Sequence, residues 1–299
     1  MKLLITGAWA ATQQQLEAVR SMGHDIVLHQ WEKDPLPVPY EQVEGVICNG
    51  LFLHHELQNF TALRYIQLTS AGTDRVPVEQ ILQRGIRLFT AGDVYSGPMA
   101  EFTLWGVLHL LKKGRFFEEN RREKQWEKCR NLEELPGKTV CIVGCGSVGR
   151  ACAKRFRAFD CRIVGVNRTV REDVLFDNIY PMERLEQGLA EADVVVLSLP
   201  LTEDTRHLLG EKQLQKMKPG SILVNIARGE IVDSRALLPA LKTRLGGAVL
   251  DVFEEEPLSP ESPFWELDNV ILTPHNAFVS KGNGERLEKV ILNNLSLYV

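Results

Sequence analysis

The 299-residue chain has no excess of basic charge: 35 lysines and arginines face 39 acidic residues, a net charge of -4. Binding along a phosphate backbone draws on concentrated positive charge, so no nucleic-acid partner is expected. Long apolar runs are missing too, and none approaches the roughly 20 residues of a membrane span, so no membrane partner is expected. The opening Met1–Gly7 stays apolar only briefly before Gln13, Gln14 and Gln15, and reads as a first strand rather than a secretion signal. Cysteine is sparse and scattered (Cys48, Cys129, Cys141, Cys145, Cys152 and Cys161), and several fall inside apolar strand or helix patterns, where they pack as small hydrophobes. A reducing cytoplasm is the expected location. Cys141 and Cys145 have no second ligand pair at usable spacing, so no metal site is expected. The adjacent His54 and His55 would point apart in regular structure, and they are expected on a surface helix. Low-complexity tracts and solenoid repeats are absent.

What the chain does have is alternation of short β-branched runs with helix-length segments. The first series is Leu3–Thr6, Ile26–Leu28, Val43–Ile47, Ile66–Leu68 and Ile86–Phe89. The second is Thr139–Val143, Arg162–Val166, Val194–Leu199, Ile222–Asn225, Ala248–Leu250 and Val270–Leu272. This pattern specifies βαβ units, hence an α/β fold of doubly wound parallel sheets. Between the series, a mainly apolar helix from about Pro98 to Leu111 can bridge two domains. A charged, poorly periodic stretch with Trp126 follows, Arg115–Glu134, which reads as solvated surface or subunit contact. The segment Glu285–Tyr298 reads as an amphipathic helix.

Gly144-Cys145-Gly146-Ser147-Val148-Gly149 follows an apolar strand and opens a helix through Ala151, Phe156 and Phe159. In that context the first glycine permits a tight turn, the second leaves room for pyrophosphate, and the third lets helix pack on strand. The helix start at Ser147 and Val148 adds N–H donors and a positive dipole. About 20 residues on, where an acid would take the ribose 2′-OH of NAD, stand Asn167, Arg168 and Thr169 instead. Asn167 and Thr169 can hydrogen-bond a 2′-phosphate and Arg168 can pair with it, so NADP(H) is the expected cofactor. The alternative is an exposed turn in which Arg168 touches nothing.

Further motifs follow: Leu199-Pro200-Leu201-Thr202 with Thr205, Asn225-Ile226-Ala227-Arg228-Gly229, Asp251-Val252-Phe253-Glu254-Glu255-Glu256-Pro257-Leu258, and Thr273-Pro274-His275. Earlier in the chain stand Ser70-Ala71-Gly72-Thr73-Asp74 and Ala100-Glu101. In this order they resemble the D-2-hydroxyacid dehydrogenase family, particularly its NADP-using glyoxylate and hydroxypyruvate reductase-like members. The resemblance implies a Rossmann cofactor domain inserted into a flavodoxin-like substrate domain, an active site in the cleft, and a homodimer. The substrate domain would then be residues 1–96 with 281–299, and the dinucleotide-binding domain residues 97–280.

The resemblance also implies that Arg228 binds the substrate carboxylate, His275 exchanges the proton and Glu256 partners His275. It places Leu199, Pro200, Thr205, Ile226 and Ala227 beside the cofactor, Asp251 near the nicotinamide carboxamide, where it can equally cap the following turn, and the Ala71–Gly72 turn on the substrate carboxylate. Chemistry agrees. A guanidinium fork can fix the adjacent anion and carbonyl of a 2-keto acid, and an imidazolium can neutralise the oxyanion that grows on reduction. A carboxylate beside a histidine favours the charged ring. Leu51 either walls the pocket for the substrate side chain or packs in the core. The expected reaction is NADPH-dependent reduction of small 2-keto acids, such as glyoxylate or hydroxypyruvate, to D-2-hydroxy acids. A nucleotide-sensing binding protein, or a dehydrogenase for formate or phosphite, is the alternative.

Overall fold

The apolar runs become strands that pair in parallel wherever they pair. Parallel neighbours cannot be joined by hairpins, so each pair needs a crossover, and both sheet faces end up covered. The computed structural model describes residues 1–297. It divides into two units, Met1–Tyr95 with the chain from Ser280, and Ser96–Val279.

Unit 1 contains β1 (Lys2–Thr6), α1 (Gln13–Ser21), β2 (Asp25–His29), β3 (Gly45–Cys48), β4 (Tyr65–Leu68), α2 (Val78–Gln83) and β5 (Arg87–Phe89). The sheet order is β2-β1-β3-β4-β5, the flavodoxin order, whose switch point lies between β1 and β3. Helix α1 starts at Thr12, which exchanges hydrogen bonds with Gln15 in a capping box. Alternate strand residues feed opposite layers: Leu3, Ile5 and Ile47 enter one cluster, and Leu4, Val46 and Cys48 the other. The helix Asn283–Ser296 adds Leu287, Ile291 and Leu295 to the first cluster. Tyr298, the expected end of that helix, lies outside the described residues.

Unit 2 contains α3 (Ser96–Leu111), α4 (Gly114–Glu123), β6 (Thr139–Val143), α5 (Ser147–Arg157), β7 (Arg162–Asn167), β8 (Asn178–Pro181), α6 (Leu185–Glu191), β9 (Val194–Leu197), α7 (Glu211–Lys216), β10 (Ile222–Asn225), α8 (Ser234–Thr243), β11 (Gly247–Leu250) and β12 (Val270–Leu272). The Asn283–Ser296 helix of unit 1 is then α9. The order β8-β7-β6-β9-β10-β11-β12 is the Rossmann arrangement with one strand added beyond its sixth. Cys141 and Val143 face one core layer, Val140 and Ile142 the other.

Three local features depart from the sequence reading. Strand β8 is an edge strand ending in proline, which offers little periodicity to detect. Helix α4 occupies part of the charged stretch, where Arg115 pairs with Glu119 one turn on at 2.7 Å and with Asp268 at 2.7 Å. His54 and His55 are not on a surface helix: they follow a 3-10 turn at Leu51–Leu53, and His55 is buried. Its Nδ1 meets the Tyr40 hydroxyl at 2.8 Å and its Nε2 the Glu32 carbonyl at 2.8 Å.

Candidate active site

The glycine turn sits where β6 ends. Gly144 has φ +99°, and a Cβ there would stand 2.8 Å from the backbone of Ser198 and Leu199. A Cβ on Gly149 would collide with the Gly144 carbonyl. Both positions therefore require glycine. Gly146 instead has open space where a side chain would project. It is the N-cap of α5 and supplies no side-chain cap, which leaves the first N–H groups, from Ser147 to Gly149, for an anion. The cradle fits the pyrophosphate of a nicotinamide dinucleotide. Ser198 Oγ donates to the Gly144 carbonyl at 2.8 Å and braces the turn.

Asn167, Arg168 and Thr169 stand at the end of β7. Asn167 is spent largely on the protein: its Oδ1 accepts from Cys145 N at 3.3 Å and its Nδ2 donates to the Thr169 carbonyl at 2.9 Å. It ties the glycine turn to the strand end, a role its sequence neighbours do not suggest. Arg168 and Thr169 are exposed. Farther along that loop, Asp173 is paired with Arg150 of α5, which neutralises a carboxylate close to the turn.

Arg228 follows β10 in extended backbone, with Nη1 donating to the Ala227 carbonyl at 2.7 Å. Asn225 fixes this turn, donating to the Arg228 carbonyl at 2.9 Å and accepting from Ala227 N at 3.1 Å. Ile226 and Ala227 are buried beneath it. A Cβ on the next residue, Gly229, would overlap the backbone of Phe253 and Glu254, so the Arg228 loop and the acidic loop after β11 touch main chain to main chain.

In that acidic loop Glu256 Oε1 accepts from Phe253 N at 3.0 Å, and Glu256 Oε2 lies 2.9 Å from His275 Nδ1. The pair is part-exposed. His275 follows β12 with φ +51°, a left-handed conformation that costs a non-glycine residue on the order of 1 kcal/mol or more. The surroundings hold it there: His275 N donates to the Asp251 carbonyl at 2.8 Å. The Asp251 side chain, 1% exposed, accepts from Thr273 Oγ1 at 2.6 Å, Asn276 N at 2.7 Å and Ala277 N at 2.9 Å. Both of its oxygens serve the histidine loop, as in the turn-capping reading of Asp251.

Leu199 is buried and Pro200 exposed after β9. The Thr205 hydroxyl closes its own loop, donating to the Pro200 carbonyl at 2.8 Å and accepting from Thr202 N at 2.7 Å. A second imidazole–carboxylate pair, His207 Nε2 to Glu254 Oε1 at 2.5 Å, uses the glutamate two residues before Glu256. Alternate acids of the Glu254-Glu255-Glu256 run thus serve different histidines.

In unit 1, Leu51 is 0% exposed and belongs to the core with Val46, Leu57 and Phe60. The pocket-wall reading is corrected: the 3-10 turn points this side chain inward and leaves Phe52 half-buried and Leu53 exposed. Ala71 and Gly72 follow β4 at the carboxyl edge of the sheet, and Ser70 Oγ donates to the Gly72 carbonyl at 2.9 Å. Among the described residues, no group of three metal-ligating side chains forms and no helix is long and apolar enough to cross a membrane.

Residues 104–277 match the family model for the D-isomer specific 2-hydroxyacid dehydrogenase NAD binding domain. The chain belongs to this family. It is a 2-hydroxyacid dehydrogenase, an oxidoreductase with a nicotinamide cofactor. A glyoxylate reductase of Pyrococcus horikoshii is 38% identical over 252 residues, which cover 80% of this chain and 74% of that protein. Among solved structures, a D-isomer specific 2-hydroxyacid dehydrogenase of Xanthobacter autotrophicus in complex with NADPH and MES aligns with TM-score 0.81 and 26% identity, covering 99% of this chain and 95% of the other. The D-lactate dehydrogenase of Aquifex aeolicus, complexed with NAD and lactic acid, aligns with TM-score 0.81 and 25% identity over the same shares of the two chains.

Sequence reasoning about this dehydrogenase missed its braces: Ser198, Asn225 and the backbone contact at Gly229. Asn225 had the clearest signal, a polar residue ending an otherwise apolar buried strand.

Proposed function

We propose that this dehydrogenase reduces small 2-keto acids of the glyoxylate and hydroxypyruvate class to D-2-hydroxy acids with NADPH. The observation that carries the reading is the His275–Glu256 contact of 2.9 Å, on a loop whose neighbour across Gly229 bears Arg228. Arg228 binds the substrate carboxylate and orients the keto group. The bound nicotinamide supplies the hydride. With Nδ1 turned to Glu256, His275 has Nε2 to present as proton donor to the forming alkoxide. His275 keeps its Nδ1–H, donated to Glu256, before and after transfer, so the ring does not turn as the proton leaves Nε2.

In this reading unit 2 is the dinucleotide-binding domain, with contacts from the glycine turn, Leu199, Pro200, Thr205, Ile226 and Ala227. Unit 1 is the substrate-binding domain, with Ala71 and Gly72 as its anchor, a role that rests on the family resemblance. The preference for NADPH is supported by the lack of a carboxylate among Asn167, Arg168 and Thr169 and by the engagement of Asp173 with Arg150; the exposure of Arg168 fits the exposed-turn alternative equally. A homodimer is supported by Trp126, 98% exposed beside a groove of about 720 Å³ lined by Phe117, Asn120 and Cys129. All six cysteines are free, in keeping with a cytoplasmic location.

The test is oxidation of NADPH and NADH across a panel of 2-keto acids, with wild type and His275→Ala. Turnover of glyoxylate or hydroxypyruvate with NADPH, reduced about 10²–10⁴-fold by His275→Ala with NADPH affinity retained, is the expected result. Equal turnover in the variant refutes the assignment of the proton donor.

A further inference from the structure

We infer that Glu32 is a positioning residue for the substrate side of unit 1: an internal carboxylate that holds the Asn49–His55 loop in shape at the switch point of the five-stranded sheet. This rests on the reading of unit 1 as the substrate-binding domain. In open parallel sheets ligands bind outside the carboxyl ends of the strands, at the switch point, which here falls between β1 and β3. Glu32 lies just beyond β2 and reaches both strand ends.

Glu32 Oε1 accepts from the Thr6 hydroxyl, at the end of β1, at 2.7 Å, and from Asn49 N, just past β3, at 2.7 Å. Its Oε2 accepts from Gly50 N at 2.6 Å. Two successive N–H groups converging on one carboxylate form the kind of anion cradle that loops at strand ends commonly offer to a ligand. In this protein a side chain of the same unit fills it.

The far end of the loop is held by the same residue. The Glu32 carbonyl oxygen can only accept, so His55 Nε2 must carry the hydrogen in their 2.8 Å contact. The Tyr40 hydroxyl then meets Nδ1 at 2.8 Å and fixes the buried ring. Residues 49, 50 and 55 are thereby fastened to one point, and the turn between them carries the half-buried Phe52 and the exposed Leu53 and His54. A loop held at both ends does not have to be ordered by the substrate on binding, and that ordering cost would otherwise appear in KM.

The experiment compares wild type, Glu32→Ala and Glu32→Gln. Backbone amide exchange of residues 49–55 is measured without substrate, and steady-state kinetics are measured with glyoxylate at saturating NADPH. Faster exchange across the loop in Glu32→Ala by about tenfold or more, with KM raised about tenfold and kcat and NADPH affinity nearly unchanged, is the expected result. Glu32→Gln, which keeps one acceptor oxygen, falls between. Formate, a small carboxylate able to enter the vacated cradle, slows exchange at Asn49 and Gly50 in Glu32→Ala and leaves wild type unchanged. Unaltered exchange in Glu32→Ala overturns the inference, and so does a lowered melting temperature with KM at the wild-type value, the mark of a merely structural role. If wild type reduces no 2-keto acid, the functional reading falls, and exchange alone decides whether Glu32 holds the loop.

Discussion

Replacing Asp251 with asparagine asks whether the loop carrying His275 is held by a carboxylate or merely covers one. The carboxylate is 1% exposed and accepts three hydrogen bonds, two on Oδ1 and one on Oδ2. Asparagine keeps the shape but has one oxygen. With that oxygen toward Thr273 and Asn276, its NH2 faces the N–H of Ala277; flipped, it faces the N–H of Asn276. Either way one backbone donor loses its partner in a site closed to water, at about 1–3 kcal/mol, and the surviving bonds lose the strength an ionised acceptor gives them. A total of roughly 2–4 kcal/mol follows, measured as a fall in the urea midpoint. The loop relaxes by losing the left-handed geometry at His275, and a displacement of about 1 Å at the proton donor costs on the order of 100-fold in turnover. Steady-state kinetics and a separate NADPH titration read the two effects. Wild-type turnover and stability in Asp251→Asn would refute the reasoning. Weakened NADPH binding with unaltered kcat would place Asp251 beside the cofactor.

Other expectations are testable with single substitutions or reagents. Arg228→Lys keeps the charge but loses the planar fork, so KM for 2-keto acids rises by about tenfold or more while NADPH affinity holds. Arg168→Ala raises KM for NADPH by about tenfold and leaves that for NADH nearly unchanged, because the loss is confined to the 2′-phosphate. Burial pushes the thiols of Cys145 and Cys152 up to about 12 and that of Cys161 to about 11, and Cys48 and Cys141 are raised as well. The thiolate is the reactive form, so in folded protein at pH 8 an alkylating reagent labels Cys129 first, and mass spectrometry of the peptides shows the order.

Much of the fold was legible because parallel strands covered on both faces leave unbroken apolar runs such as Thr139–Val143. Strand β8 left no such run, since it sits at an edge and ends in Pro181. The glycine turn was legible because main-chain geometry itself demands glycine at 144 and 149. Two of the braces were not, because their partners are remote in sequence: Asp251 finds Ala277, and Ser198 finds Gly144, whereas Asn225 bonds only two and three residues on. Leu51 shows a different limit. A residue three positions past a strand end points in or out according to the turn it enters, and the 3-10 turn there sends it into the core.

Helix α9 has a consequence for how the chain assembles. Leu287, Ile291 and Leu295 cover the same layer as Leu3, Ile5 and Trp9, so β1 waits for a helix that is made only after unit 2. Residues 96–279 can finish folding well before then, as a completed insert between two halves of an unfinished neighbour. During synthesis the exposed, sticky surface therefore belongs to the five-stranded sheet.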